Sequence, residues 1–165
     1  MRMLFIGNSL TYWRGGLDGM FRSWGYEAEA VTRGGATLVE LLHEQKALSR
    51  IAAGGLDVVV LQDDLPEYDV PRGQGARWVH LHARFGGAVG EFARAVGASL
   101  GPNARVILFM PHAYRRLART SLDDIRRVHE TAERNLSPEW PGLSVAPGGM
   151  AHHAAMAGAS DVSLE

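Results

Sequence analysis

Cysteine is absent from the 165 residues, which excludes a disulfide framework, a thiol nucleophile and a thiolate metal site. Lysine is nearly absent too, Lys46 being the only one, so basic charge is carried by arginine. Neither sign of charge prevails. Seventeen basic and eighteen acidic residues leave a formal net charge of −1, which argues against nucleic acid as a partner because such binding needs a basic surface. No apolar run approaches the roughly 20 residues that span a bilayer. The N-terminus runs Met1-Arg2-Met3 directly into a short apolar stretch ending at Gly7, without the small-residue cleavage site of a secretory leader. The expectation is a cytoplasmic protein that contacts neither nucleic acid nor membrane.

What is present is core material. Hydrophobic residues make up 46% and charged residues only 21%, which excludes global disorder. The length suits one domain over residues 1–165, with no repeat, low-complexity tract or interdomain linker. Glycine is abundant, at 20 residues, and much of it follows strand-like runs. Tight turns account for most of it, while loops that bring backbone close to a ligand use glycine in the same way.

Short apolar runs alternate with amphipathic stretches. Met3 to Ile6 reads as a strand that stops at Gly7-Asn8. Leu17, Met20, Phe21 and Trp24 fall at helical spacing and predict a helix from about Tyr12 to Trp24. Tyr26 to Thr32 alternates as a second strand, and Leu38, Leu41, Leu42 and Leu48 mark a second helix. Asp57 to Gln62 holds Val58-Val59-Val60-Leu61, apolar on both faces as in a covered parallel sheet. After a polar loop to about Gly75 comes a long helix from Trp78 to Leu100, broken or loosened at Gly86-Gly87. Val106 to Met110 is a fourth strand. Ser121 caps a helix to about Asn135, Leu143 to Ala146 is a fifth strand, and Met150 to Met156 is helical. This alternation predicts a three-layer α/β/α fold, flavodoxin-like, on a five-stranded parallel sheet of order 2-1-3-4-5. In such sheets ligands bind beyond the carboxyl ends of the strands, so the loops at Gly7, Gly34, Gln62, Pro111 and Pro147 are the ones to inspect.

The first of these loops reads Gly7-Asn8-Ser9-Leu10-Thr11. From position alone three readings of Ser9 stand open: a helix cap, a nucleophile exposed at a helix start, or, with Thr11 and backbone amides, an anion cradle. The loop resembles the first sequence block of the SGNH (GDSL-type) hydrolases, in a Gly-Asn-Ser-Leu form. Gly35-Ala36-Thr37 is similar to that family's second block, and Val60-Leu61-Gln62-Asp63 lies where its third block belongs. All three follow predicted strands in the family's order.

The resemblance implies a serine ester hydrolase acting on small acyl esters, acetylated carbohydrates among them, without cofactor or metal. Ser9 would be the nucleophile, with the amides of Ser9 and Gly35 and a side-chain amide as oxyanion donors. The family draws that side chain from an asparagine in the third block. Here Gln62 takes its place with the same NH2 group on a longer arm. Asn8, Asp63 and His112 are the candidate substrate-binding residues. The family's Asp-x-x-His block, which carries the general base, does not occur in the sequence. The expectation is a chain shortened relative to the family, with an oligomer or partner contact at that end. The remaining candidates for the base are His112, His152, His153 or a residue beyond Glu165, while His43, His80, His82 and His129 fall on helices. A metal site built on Asp63, Asp64 and His112 lacks diagnostic ligand spacing. The loop residues Glu67 and Asp69 read as a solvated acidic lid, and Arg115, Arg116 and Arg119 as a solvated helix face. An alternative to the enzyme is a weak or inactive module of the same fold that binds a small ligand or partner through the same cleft. A third reading, a nucleotide or phosphate binder, has too little glycine in its loop and no Walker pattern.

Overall fold

The computed structural model describes residues 1–12, 15–63, 76–101, 104–111 and 122–151, of which 76–82 by their backbone alone. The strands are β1 (Arg2–Gly7), β2 (Glu27–Thr32), β3 (Val58–Leu61), β4 (Arg105–Phe109) and β5 (Leu143–Ala146). The helices are α1 (Ser9–Tyr12), α2 (Gly16–Ser23), α3 (Leu38–His43), α4 (Lys46–Ala52), α5 (Ala76–Leu100) and α6 (Leu122–Leu136). Every strand pairing is parallel, in the order β2-β1-β3-β4-β5, as the alternation predicts.

The central strands β1 and β3 are apolar on both faces because both faces are covered. Leu4 and Ile6 of β1 pack with Val59 and Leu61 of β3 and Val106 and Leu108 of β4 on the larger side. There they meet Leu38 and Leu41 of α3, Ile51 of α4, Phe85 and Phe92 of α5, and Ile125 and Val128 of α6. Each such fully buried side chain contributes on the order of 1.5–3 kcal/mol. Met3, Phe5, Val58 and Val60 form a smaller cluster on the other face, against Leu17 and Phe21 of α2.

Three local expectations differ from the structure. Helical residues in the predicted Tyr12 to Trp24 stretch belong to two helices, α1 ending at Tyr12 and α2 starting at Gly16, because the N-cap Gly15 adopts φ of 97°, which a right-handed helix does not contain. The helix marked by Leu38 to Leu48 is likewise two, α3 and α4, separated at Gln45 (φ 61°). Apolar periodicity survives both breaks because each piece still presents its leucines to the sheet. The third difference runs the other way. α5 passes through Gly86-Gly87 unbroken, since Phe85, Ala88 and Val89 are buried on either side. That packing outweighs the roughly 1 kcal/mol that glycine costs in a helix.

His129 belongs to this core. It is buried on α6 with its ring against Phe85, centroids 4.8 Å apart, and its Nδ1 lies 2.8 Å from the carbonyl oxygen of Ile125. Burial pushes its pKa down to about 4, so the ring is neutral and Nδ1 carries the proton donated to Ile125. Among the described residues no helix is long and apolar enough to cross a membrane.

Candidate active site

Strand register brings three loops to one place. Ile6 of β1 lies between Val31 of β2 and Leu61 of β3, so all three strands end level and Asn8, Gly35 and Gln62 follow within a few residues. Two backbone bonds continue the ladder past the strand ends, from Arg33 N–H to Gly7 and from Gln62 N–H to Ile6. The expected site residues Asn8, Ser9, Gly35, Gln62 and Asp63 thus gather at the carboxyl edge of the sheet. His112, His152, His153, Asp64, Glu67, Asp69, Arg115, Arg116, Arg119 and Ser121 lie outside the described residues, as do the side chains of His80 and His82.

Asn8 organises the first loop. Its Oδ1 accepts from the Leu10 amide at 3.1 Å, while its carbonyl oxygen accepts from Thr11 N–H at 3.0 Å. The side chain that caps α1 is therefore Asn8's, and the cap reading of Ser9 is superseded. Its Nδ2 donates to the carbonyl oxygen of Ala36 at 3.1 Å, in the loop that carries Gly35. Asn8 is fully buried, and each of its polar atoms meets protein. Ser9, by contrast, is only half-buried at the head of α1.

Gln62 ties the third loop to the first. Its Oε1 accepts from the Asn8 amide at 3.1 Å and from the Thr11 hydroxyl at 2.8 Å. Its Nε2 is buried and has no partner among the described residues. The amide cannot be turned over, because Asn8 N–H is only a donor and would then face the NH2 group. These contacts crowd the end of β1: a Cβ on residue 7 would stand 2.3 Å from Thr11 Oγ1 and 2.7 Å from Gln62 Oε1. Only glycine fits there.

The second loop is held from both ends. Gly35 is exposed with φ 67° and open space where a Cβ would stand. Beyond it Thr37 caps α3 in a reciprocal box with Glu40, whose pKa is lowered chiefly by the Thr37 backbone amide. Asp63, fully buried at the end of β3, accepts from the Leu38 amide at 2.9 Å, at the start of the same helix. The tyrosine of α1 reaches across as well, its hydroxyl lying close over Gly34.

The sequence reading placed Thr11 only in an anion cradle, whereas the structure commits its hydroxyl to Gln62. The signal was a threonine in the first helical turn, where its side chain points back over the preceding strand end.

No protein-family model matches this sequence. No curated protein matches it either. Solved structures do. One, from Parabacteroides merdae and described as a GDSL-like lipase, superposes with a TM-score of 0.60 at 15% identity, over 93% of this chain and 79% of its own. The acetyl xylan esterase AlAXEase gives a TM-score of 0.55 at 20% identity, over 88% and 77%. The acetylxylan esterase Axe2 from Geobacillus stearothermophilus gives 0.53 at 15%, over 81% and 72%. The chain shares their fold. That fold is a three-layer α/β sandwich on a five-stranded parallel sheet, with the Ser9 loop, the Gly35 loop and Gln62 at the carboxyl edge of the sheet.

Proposed function

We propose that the protein is a serine ester hydrolase of SGNH type that acts on small acyl esters, acetylated carbohydrates among them. Ser9 Oγ bonds to the acyl carbon, the alcohol leaves with a proton, and water then releases the acid and frees the serine. The oxyanion is met by the backbone amides of Ser9 and Gly35. One such donor is typically worth about 3 kcal/mol of barrier. The third donor in this reading is Gln62 Nε2, which is fixed in orientation but buried. Asp63 and Asn8 support the site from beneath, and His112, His152 and His153 are the candidates for the base that takes the Ser9 proton.

The observation that carries the reading is the Asn8–Ala36 bond, which binds the half-buried Ser9 turn directly to the glycine loop. The acetylxylan esterases among the structures of this fold support the substrate class. A second reading is a module that binds a small ligand in the same cleft without turning it over, favoured by the burial of Gln62 Nε2.

Hydrolysis of a short-chain aryl acetate, measured for the chain and its Ser9→Ala variant, separates the two. Ser9-dependent turnover is the expected result, and replacing His112, His152 and His153 one at a time then tests each as the base. Equal background rates in both proteins overturn the esterase reading in favour of the binding module. Gln62→Glu keeps the oxygen that holds Asn8 and Thr11 but removes the NH2 group. A fall in kcat of about 100-fold is expected if that group is the third donor.

A further inference from the structure

The bonds around Gln62 have a direction. Oε1 is taken twice, by Asn8 N–H and by the Thr11 hydroxyl, while the NH2 group is left without a partner among the described residues. Thr11 is as buried as Gln62, each about 1% exposed, so this bond is shielded from competing water. Thr11 sits about one helical turn from Asn8, and its own amide donates to the Asn8 carbonyl, closing the turn that contains Ser9. The missing Cβ of Gly7 is what lets both oxygens approach the end of β1.

We infer that Thr11 is a positioning residue: its hydroxyl, acting through Gln62, fixes the Ser9 turn against the end of β3. The inference rests on the esterase reading. It adds that the serine's placement depends on a hydroxyl that touches no substrate. The geometry needs a small side chain with a hydroxyl at position 11. A valine keeps the shape but leaves Oε1 with one donor, and a serine keeps the donor.

The test compares Thr11→Val and Thr11→Ser with the native chain in aryl acetate hydrolysis, with Ser9→Ala as the blank. Thr11→Val is expected to lower kcat by roughly tenfold, with KM nearly unchanged, and Thr11→Ser to restore most of it. A residue that merely filled space would show the opposite order, since valine is the better shape match. Thr11→Val at native kcat, or a serine variant no better than the valine one, overturns the inference. Should the native chain not exceed the Ser9→Ala blank, the esterase reading fails and hydrogen exchange at the Asn8 amide judges the clamp. That amide is expected to be protected in the native chain and to exchange about tenfold faster in Thr11→Val. Equal exchange in the two overturns the clamp itself.

Discussion

The Asn8 side chain donates from Nδ2 to the carbonyl oxygen of Ala36 across 3.1 Å of buried space. The residue after the donor is Ser9 and the residue before the acceptor is Gly35. One hydrogen bond therefore sets the spacing of the two backbone amides proposed to receive the oxyanion. The same side chain caps α1 through Oδ1, so cap and spacer are a single residue.

Asn8→Ala removes both contacts and leaves the Leu10 amide and the Ala36 carbonyl without them. A loss of about 2–4 kcal/mol of stability is expected, together with a fall in Ser9-dependent turnover. Urea unfolding and aryl acetate kinetics on one preparation check the pair. Full stability with reduced turnover would assign Asn8 to the substrate rather than the scaffold.

At the end of β1 the constraint is steric. Gly7→Ala places a methyl group among Thr11 Oγ1, Gln62 Oε1 and Gln62 Cβ, the last at 3.0 Å. Either the clamp opens or the strand end shifts, at an expected cost of about 1–3 kcal/mol. Thermal unfolding measures it, and an unchanged midpoint would mean the packing there is looser than the structure has it.

Asp63 joins β3 to the first turn of α3 through the Leu38 amide, in full burial. Asp63→Ala orphans that amide and is expected to destabilise the protein by about 1.5–3 kcal/mol. Because the Thr37–Glu40 box still caps α3, the variant should fold and can be measured by denaturant titration. A change in KM without loss of stability would instead place Asp63 at the substrate, as the sequence led us to expect.

His129 gives the fold an acid limb. Its pKa is about 4 in the folded chain, lowered by burial and only partly offset by the Ile125 carbonyl, against about 6.5 when unfolded. Below pH 6.5 the unfolded chain binds the extra proton first. Stability is thus intact above about 6.5 and falls as pH drops toward 4, by on the order of 3 kcal/mol from this group. His129→Leu should flatten that part of the unfolding profile between pH 6.5 and 4. A variant profile parallel to the native one would refute the assignment.

Much of the architecture was legible because it rests on local chemistry. Val58 to Leu61 is apolar at every position, as a strand covered on both faces requires, and Leu143 to Ala146 has the predicted limits. The helix interruptions were less legible. The leucine spacing from Leu38 to Leu48 is compatible with one helix or two, and the left-handed backbone of Gln45 that divides them is not encoded by residue type. The glycine pair in α5 misled in the other direction, since its neighbours' burial is a tertiary fact.

At the site, sequence alone determined which residues meet. Gly7 ends a strand and Asn8, Ser9, Gly35 and Gln62 follow strands, and parallel strands that end level deliver them to one edge. What each does there was decided by the tertiary structure. The cap belongs to Asn8 rather than Ser9, and the Thr11 hydroxyl is turned inward to Gln62 instead of outward to an anion. Asp63 faces a helix amide. The physical reason is that residue type fixes which bonds a side chain is able to make. The choice among them depends on which partner stands within about 3 Å once water is excluded, and that follows only from the packing of the three loops together.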